Sequence, residues 1–202
     1  SAGKSRTEDI DQFKKRFPAF SEEGLKSVLS YVDAKTHDRE LTRQVADDFQ
    51  EQGGTVIVHC DVEHINWDDR GFQVSSSAGE FSAPNLVNAT GSWLDEVNAK
   101  YHFPANFHIR KVSGIHLIFD GLVVPELMFM QTREKRIFFI IPEPERDQTL
   151  IGTTEREEDF PMDQVLAEEA DVQYLLEQVN VYLKPEHQLK REDVRDIYIG
   201  VR

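Results

Sequence analysis

The chain has 202 residues and a formal net charge of −14, a length that allows one large domain or two small ones with a sizeable core. Hydrophobic residues make up 39% and charged residues 30%, and a balance this acidic excludes a phosphate-reading nucleic-acid binder and a polybasic membrane contact. Cys60 is the single cysteine, which excludes an internal disulfide and a cysteine-rich zinc site, and no apolar run reaches the ~20 residues of a membrane span.

Residues 1–6 are small and basic and read as a loose lead-in. Thr7 suits the N-cap of a helix over 7–17, with Glu8 and Asp9 favourable in its first turn and Pro18 stopping it. A strand is predicted within 24–33. Asp38 opens a helix in which Leu41, Val45 and Phe49 recur every fourth residue, and Gly53 and Gly54 end it. Residues 55–60 read as a strand with Val56, Val58 and Cys60 on one face. Strands at 62–67, 72–75 and 80–83 follow, the first two joined by the turn Asp68-Asp69-Arg70-Gly71. The stretch 86–93, Leu-Val-Asn-Ala-Thr-Gly-Ser-Trp, reads as a buried strand that stops at small residues, where Gly91 lets a backbone pass close to another body.

After Trp93 the character changes. Residues 100–106 look irregular, with Pro104 among them. Long apolar strands are predicted at 109–120, 123–132, 136–142 and 149–154, joined by short turns such as Arg133-Glu134-Lys135, and the expected product is an antiparallel sheet. A helix is expected over 163–183, then a short helical turn at 190–192 and a last strand at 197–201. Glu155, Glu157, Glu158 and Asp159 lack calcium-loop spacing and read as a solvated acidic loop. His59 and His64 have no third partner for a metal, so no metal site is expected.

Several stretches carry a family signal together: 31–41, Ala89-Thr90-Gly91, Ser113-Gly114-Ile115-His116, Arg136-Ile137-Phe138-Phe139-Ile140-Ile141-Pro142, Gly152-Thr153-Thr154-Glu155 and Gly200-Val201-Arg202. In this order and spacing they resemble the FAD-dependent glycerol-3-phosphate dehydrogenases of the D-amino-acid-oxidase-like superfamily. The resemblance implies an α+β fold, part of an FAD-binding α/β domain plus an antiparallel-sheet substrate-binding domain with flanking helices. Its expected divisions are a helical cap and connecting strand over 1–37, the second half of the FAD-binding domain over 38–98, and the substrate-binding domain over 99–202. It implies FAD as cofactor and oxidation of sn-glycerol 3-phosphate to dihydroxyacetone phosphate, with a quinone or another electron acceptor behind the flavin. It also implies a cytoplasmic protein, peripheral on the inner membrane in the full-length parent. The polar N-terminus shows no signal peptide, and no G-x-G-x-x-G occurs. The chain therefore reads as an internal fragment of a longer parent, expected alone not to retain FAD and to be inactive.

On the resemblance, His116 faces substrate at the flavin and acts as the base, although a histidine inside an apolar strand is ordinarily a core residue. Arg202 matches a substrate-site arginine able to hold a phosphate or a developing ketone oxygen. Thr154 supplies a hydroxyl near the site. Ala89, Thr90 and Gly91 approach the flavin nucleotide, and Val62 meets the adenine end through its backbone. Three positions depart from the family pattern: Ser92 replaces a proline, Glu155 an aspartate and Ser113 a Lys or Arg. Ser113 matters most, since it removes a cation from a phosphate-binding region. The rival readings are a non-catalytic binding or scaffold domain of this fold, or a related flavin oxidase acting on another small substrate.

Overall fold

The computed structural model describes residues 5–159 and 161–202, so most of the expected lead-in, residues 1–4, lies outside the described residues. In chain order the elements are β1 (Arg6–Glu8), α1 (Ile10–Arg16), β2 (Val28–Ser30), α2 (Asp38–Glu51), β3 (Val62–Asp68), β4 (Gly71–Ser76) and β5 (Gly79–Ala83). Then come α3 (Leu94–Lys100), β6 (Val112–Asp120), β7 (Met128–Gln131), β8 (Ile137–Glu143), β9 (Gln148–Gly152), β10 (Arg156–Glu157), α4 (Glu169–Asn180) and β11 (Val194–Val201). The fold is α+β. Its described residues divide into two compact units, Val32–His108, and residues 5–31 joined with Ile109–Arg202.

The second unit is built on an antiparallel sheet, six-stranded among the described residues. β6 is its pivot. On one edge it pairs with β11, Tyr198 opposite His116, and on the other with β9, Gly152 opposite His116. β8 and β7 extend the sheet beyond β9. Strand alternation sends Ser113, Ile115, Leu117 and Phe119 to one face of β6, where all four are buried. Val172, Leu175, Leu176 and Val179 of α4 belong to the same core.

The N-terminal segment joins that core instead of standing apart as the expected 1–37 piece. Phe13 stacks on Phe17 with ring centroids 4.6 Å apart, and Phe20 meets both edge-on. Lys184 fastens the segment to the chain after α4 through its N–H to the Ala19 carbonyl (2.9 Å) and its ammonium to the Pro18 carbonyl (2.7 Å).

Both helices of this unit start later than expected. Thr7 lies in β1 opposite Leu29, and Asp9 caps α1 by accepting from the Gln12 N–H at 2.9 Å. α4 begins at Glu169 and not Asp163, because Glu168 and Asp171 form a capping box that fixes the first turn there. The expected solvated acidic loop is corrected at both ends. Arg156 and Glu157 form β10, and Glu158 is buried against Ser113 and Arg156.

The first unit contains the three-stranded meander β3-β4-β5 with the expected turns. It also contains α2, and α3, a helix the sequence reading missed. Two expected strands are absent. Residues 55–60 and the stretch 86–93, expected as a buried strand, run without a ladder, with 91–93 in a short 3-10 turn, and Val87 is 83% exposed. A strand is stable only when a neighbour takes its N–H and C=O groups, and among the described residues neither segment has one.

Candidate active site

The site forms where β6, β11 and the end of β9 meet. β9 stops at Gly152, and β10 rejoins the same edge of β6 opposite Ser113 and Val112. Thr153, Thr154 and Glu155 leave the ladder between them. The Thr154 hydroxyl accepts the N–H of Ile115 at 3.0 Å and so replaces the missing strand partner. This break explains two motifs at once. A Cβ on Gly114 would stand 2.2 Å from the Thr153 hydroxyl, and one on Gly152 would stand 2.6 Å from the His116 ring. The Gly-x-His and Gly-Thr-Thr segments therefore fit each other only as glycines.

His116 is half-buried on the face of β6 away from α4, its ring 6.2 Å from that of Tyr198. Burial, and then the positive charge of Arg202, lower its pKa below the ordinary 6.5. The imidazole is neutral at neutral pH and free to accept a proton.

Arg202 continues the β11 register. Its N–H donates to the Val112 carbonyl at 2.9 Å, and the Val112 N–H donates back at 2.8 Å. Alternation puts residues 198, 200 and 202 on the face that carries His116. The Arg202 guanidinium meets Glu155 at 2.5 Å. Arg136, from the start of β8, donates to the Glu155 carbonyl at 3.2 Å and lies 3.7 Å from its carboxylate. Arg110 pairs with Glu157. These five charged side chains and Val112 line a cavity of about 260 Å³.

The structure thus brings together His116, Arg202 and Thr154. It adds Arg136, Arg110 and Glu155; the sequence reading placed Arg136 and Glu155 in family segments, Glu155 as a departure from aspartate, without giving either a role at the site. Ser113 is corrected in meaning. Its side chain lies on the opposite face of β6 from His116, 2% exposed, and its hydroxyl donates to Glu158. A lysine there would not face the His116 side.

The four residues expected to hold the cofactor lie in the other unit. Val62 and Thr90 line a cavity of about 440 Å³ together with Ile65, Leu86, Asn88 and Tyr101. Asn88 shapes the turn by accepting from the Thr90 N–H (3.2 Å) and hydroxyl (2.6 Å). Gly91 sits at φ 60° with open space around its Cα, while Ala89 and Gly91 stand outside the lining. The Val62 carbonyl is already in use, accepting from the Tyr101 hydroxyl at 2.5 Å and the Lys100 ammonium at 3.1 Å. Volume, mixed apolar walls and a few fixed polar groups suit a nucleoside, so the residues present fit the adenosine end of FAD.

The family model described as FAD dependent oxidoreductase, DAO, matches residues 2–202. The chain belongs to this family. Two relatives are similar to it: the aerobic glycerol-3-phosphate dehydrogenase of Staphylococcus saprophyticus, 30% identical over 92% of this chain, and that of Bacillus subtilis, 27% identical over 92%. The chain spans 35% and 34% of their lengths, respectively. The structure of glycerol-3-phosphate dehydrogenase from Bacillus halodurans complexed with FAD has the same fold, with TM-score 0.83, 23% identity, and coverage of 97% of this chain and 41% of that one. The DAO family is FAD-dependent, and no helix among the described residues is long and apolar enough to cross a membrane.

Proposed function

We propose that this chain carries the substrate-binding part of an FAD-dependent glycerol-3-phosphate dehydrogenase, which oxidises sn-glycerol 3-phosphate to dihydroxyacetone phosphate. The observation that carries the proposal is one sheet face that holds a neutral His116 close to Arg202, beside a cavity rich in arginine. Bound FAD would supply the two-electron acceptor.

The chain's own residues have separable tasks. His116 accepts the proton of the C2 hydroxyl, since its lowered pKa keeps a lone pair available at neutral pH. Arg202 offers its planar fork to the phosphate or to the oxygen that becomes the ketone. Arg136 brings a second guanidinium to the same cavity. Thr154 holds Ile115, the neighbour of His116, and is a positioning residue that keeps one O–H to donate. Val62 and Thr90, which line the larger cavity, serve the nucleotide, with Ala89 and Gly91 on either side of Thr90. A quinone or another acceptor reoxidises the flavin, and the full-length protein works in the cytoplasm or peripherally on its membrane.

The test is the full-length protein, purified and mixed anaerobically with glycerol 3-phosphate. Bleaching of the flavin bands with stoichiometric dihydroxyacetone phosphate is expected. A flavoprotein that bleaches only with amino acids would make it a related oxidase. A protein without flavin would make it a scaffold.

A further inference from the structure

Glu155 stands between two arginines that a substrate phosphate would need. Its carboxylate pairs with Arg202 at 2.5 Å and approaches Arg136 at 3.7 Å, and Arg136 also grips its backbone carbonyl at 3.2 Å. The grip on the carbonyl fixes where the side chain starts, in the break between β9 and β10. The carboxylate itself is half-exposed, as are both guanidiniums. Across the cavity Glu157 holds Arg110 in the same manner. Three arginines thus face two glutamates, and the cavity keeps a net positive charge.

We infer that Glu155 is an internal counter-anion, which holds Arg202 and Arg136 until a phosphate dianion displaces it and thereby sets the affinity of the site for phosphate. This rests on the proposed function above only for the identity of the displacing group. A half-exposed ion pair is weak, so a ligand with two charges and three acceptor oxygens outcompetes one carboxylate without unfolding anything. A substrate lacking the phosphate cannot displace Glu155 and meets a site whose arginines are already satisfied. Glu155 therefore discriminates as well as holds.

The test measures binding of inorganic phosphate, glycerol 3-phosphate and glycerol to the 202-residue chain at low ionic strength, by calorimetry or NMR titration. Glu155→Gln should bind both phosphates about two- to fivefold tighter than the parent, the factor that matches an exposed ion pair of about 0.4–1 kcal/mol. Adding Arg202→Gln should abolish that gain, and Glu186→Gln, the same charge change on an exposed residue elsewhere, should not reproduce it. Glycerol should bind detectably to none of them. If Glu155→Gln leaves phosphate affinity unchanged or weaker while Arg202→Gln weakens it, the counter-anion role is overturned and the phosphate site stands. A gain that survives Arg202→Gln, or that Glu186→Gln matches, overturns the role as a bulk charge effect. If no variant binds phosphate, both the role and the phosphate-binding reading of the cavity fall.

Discussion

In the unit of residues 5–31 and Ile109–Arg202, Leu117, Phe138, Ile140, Ile151 and Leu175 are fully buried. Among the described residues of Val32–His108 none is buried, and Leu41, Val45 and Phe49, the apolar stripe of α2, are each more than half exposed. Both regions are patterned for burial. The difference is that a sheet closing on α4 and α1 supplies its own cover, while α2 and the unladdered 55–60 and 86–90 segments find no cover within their own unit. Patterning states which face a segment would hide, and it is silent on whether the hiding surface lies in the same stretch of chain.

If the sheet unit is self-supporting, residues on its open face can be changed for chemistry without loss of fold. His116→Ala in the full-length protein should lower kcat by ~10²–10⁴-fold with an unchanged melting temperature. The pH profile should follow the same residue. Because burial and Arg202 hold the His116 pKa below 6.5, the acid limb of kcat/KM, where the imidazole protonates, should have its midpoint below 6.5. Arg202→Gln removes the second of those causes, so its acid limb should shift upward. A limb that does not move would detach Arg202 from His116, and full activity in His116→Ala would make the imidazole a structural residue.

The core of the same unit should show the reverse pattern. Leu117→Ala, at a site with no exposure, should cost about 2–5 kcal/mol in chemical denaturation. Loss of a few tenths only would mean that the sheet does not close its own core, and the contrast with the first unit would dissolve.

A smaller effect should appear at the buried ion cluster. Burial pushes Glu158 upward, but the Ser113 hydroxyl and Arg156 outweigh it, and its pKa lies below the ordinary 4.5. A carboxyl with a depressed pKa contributes stability above its unfolded value and loses it as pH falls through the folded value. Ser113→Ala should therefore cost about 1–3 kcal/mol at pH 7, and the gap to the parent should close below the Glu158 pKa. A gap that stays constant down to acid pH would show that the hydroxyl does not act through the carboxylate.

The antiparallel sheet was legible, because period-2 alternation is a local signal, whereas the pairing of Gly-x-His with Gly-Thr-Thr was not read, since the close approach of Gly152 to the His116 ring joins two strands distant in sequence. The face of Ser113 was legible too and was missed: three positions from His116 along one strand means the opposite face. Arg136 and Glu155 stood in the family segments, but their meeting was not legible. It depends on β9 breaking after Gly152, which no local propensity announces. The strands expected at 55–60 and within 86–93 failed for the opposite reason, since apolar composition was read as burial without a neighbour to provide it.

The smallest expected effect tests the first unit directly. Val45 is 61% exposed in the middle of α2, so it hides little apolar surface, and glutamine has a better helix propensity than valine. Val45→Gln in the 202-residue chain should change stability by no more than ~0.5 kcal/mol, as for other surface positions, and should reduce self-association, because it interrupts the row formed with Leu41 and Phe49. In the full-length protein the same substitution should be more damaging if another part of the parent covers that row, since a polar amide would then be buried without a partner. Equal, negligible costs in both would mean that α2 keeps its stripe exposed in the parent as well, and that the contrast between the units is intrinsic to the fold and not to the length of chain present.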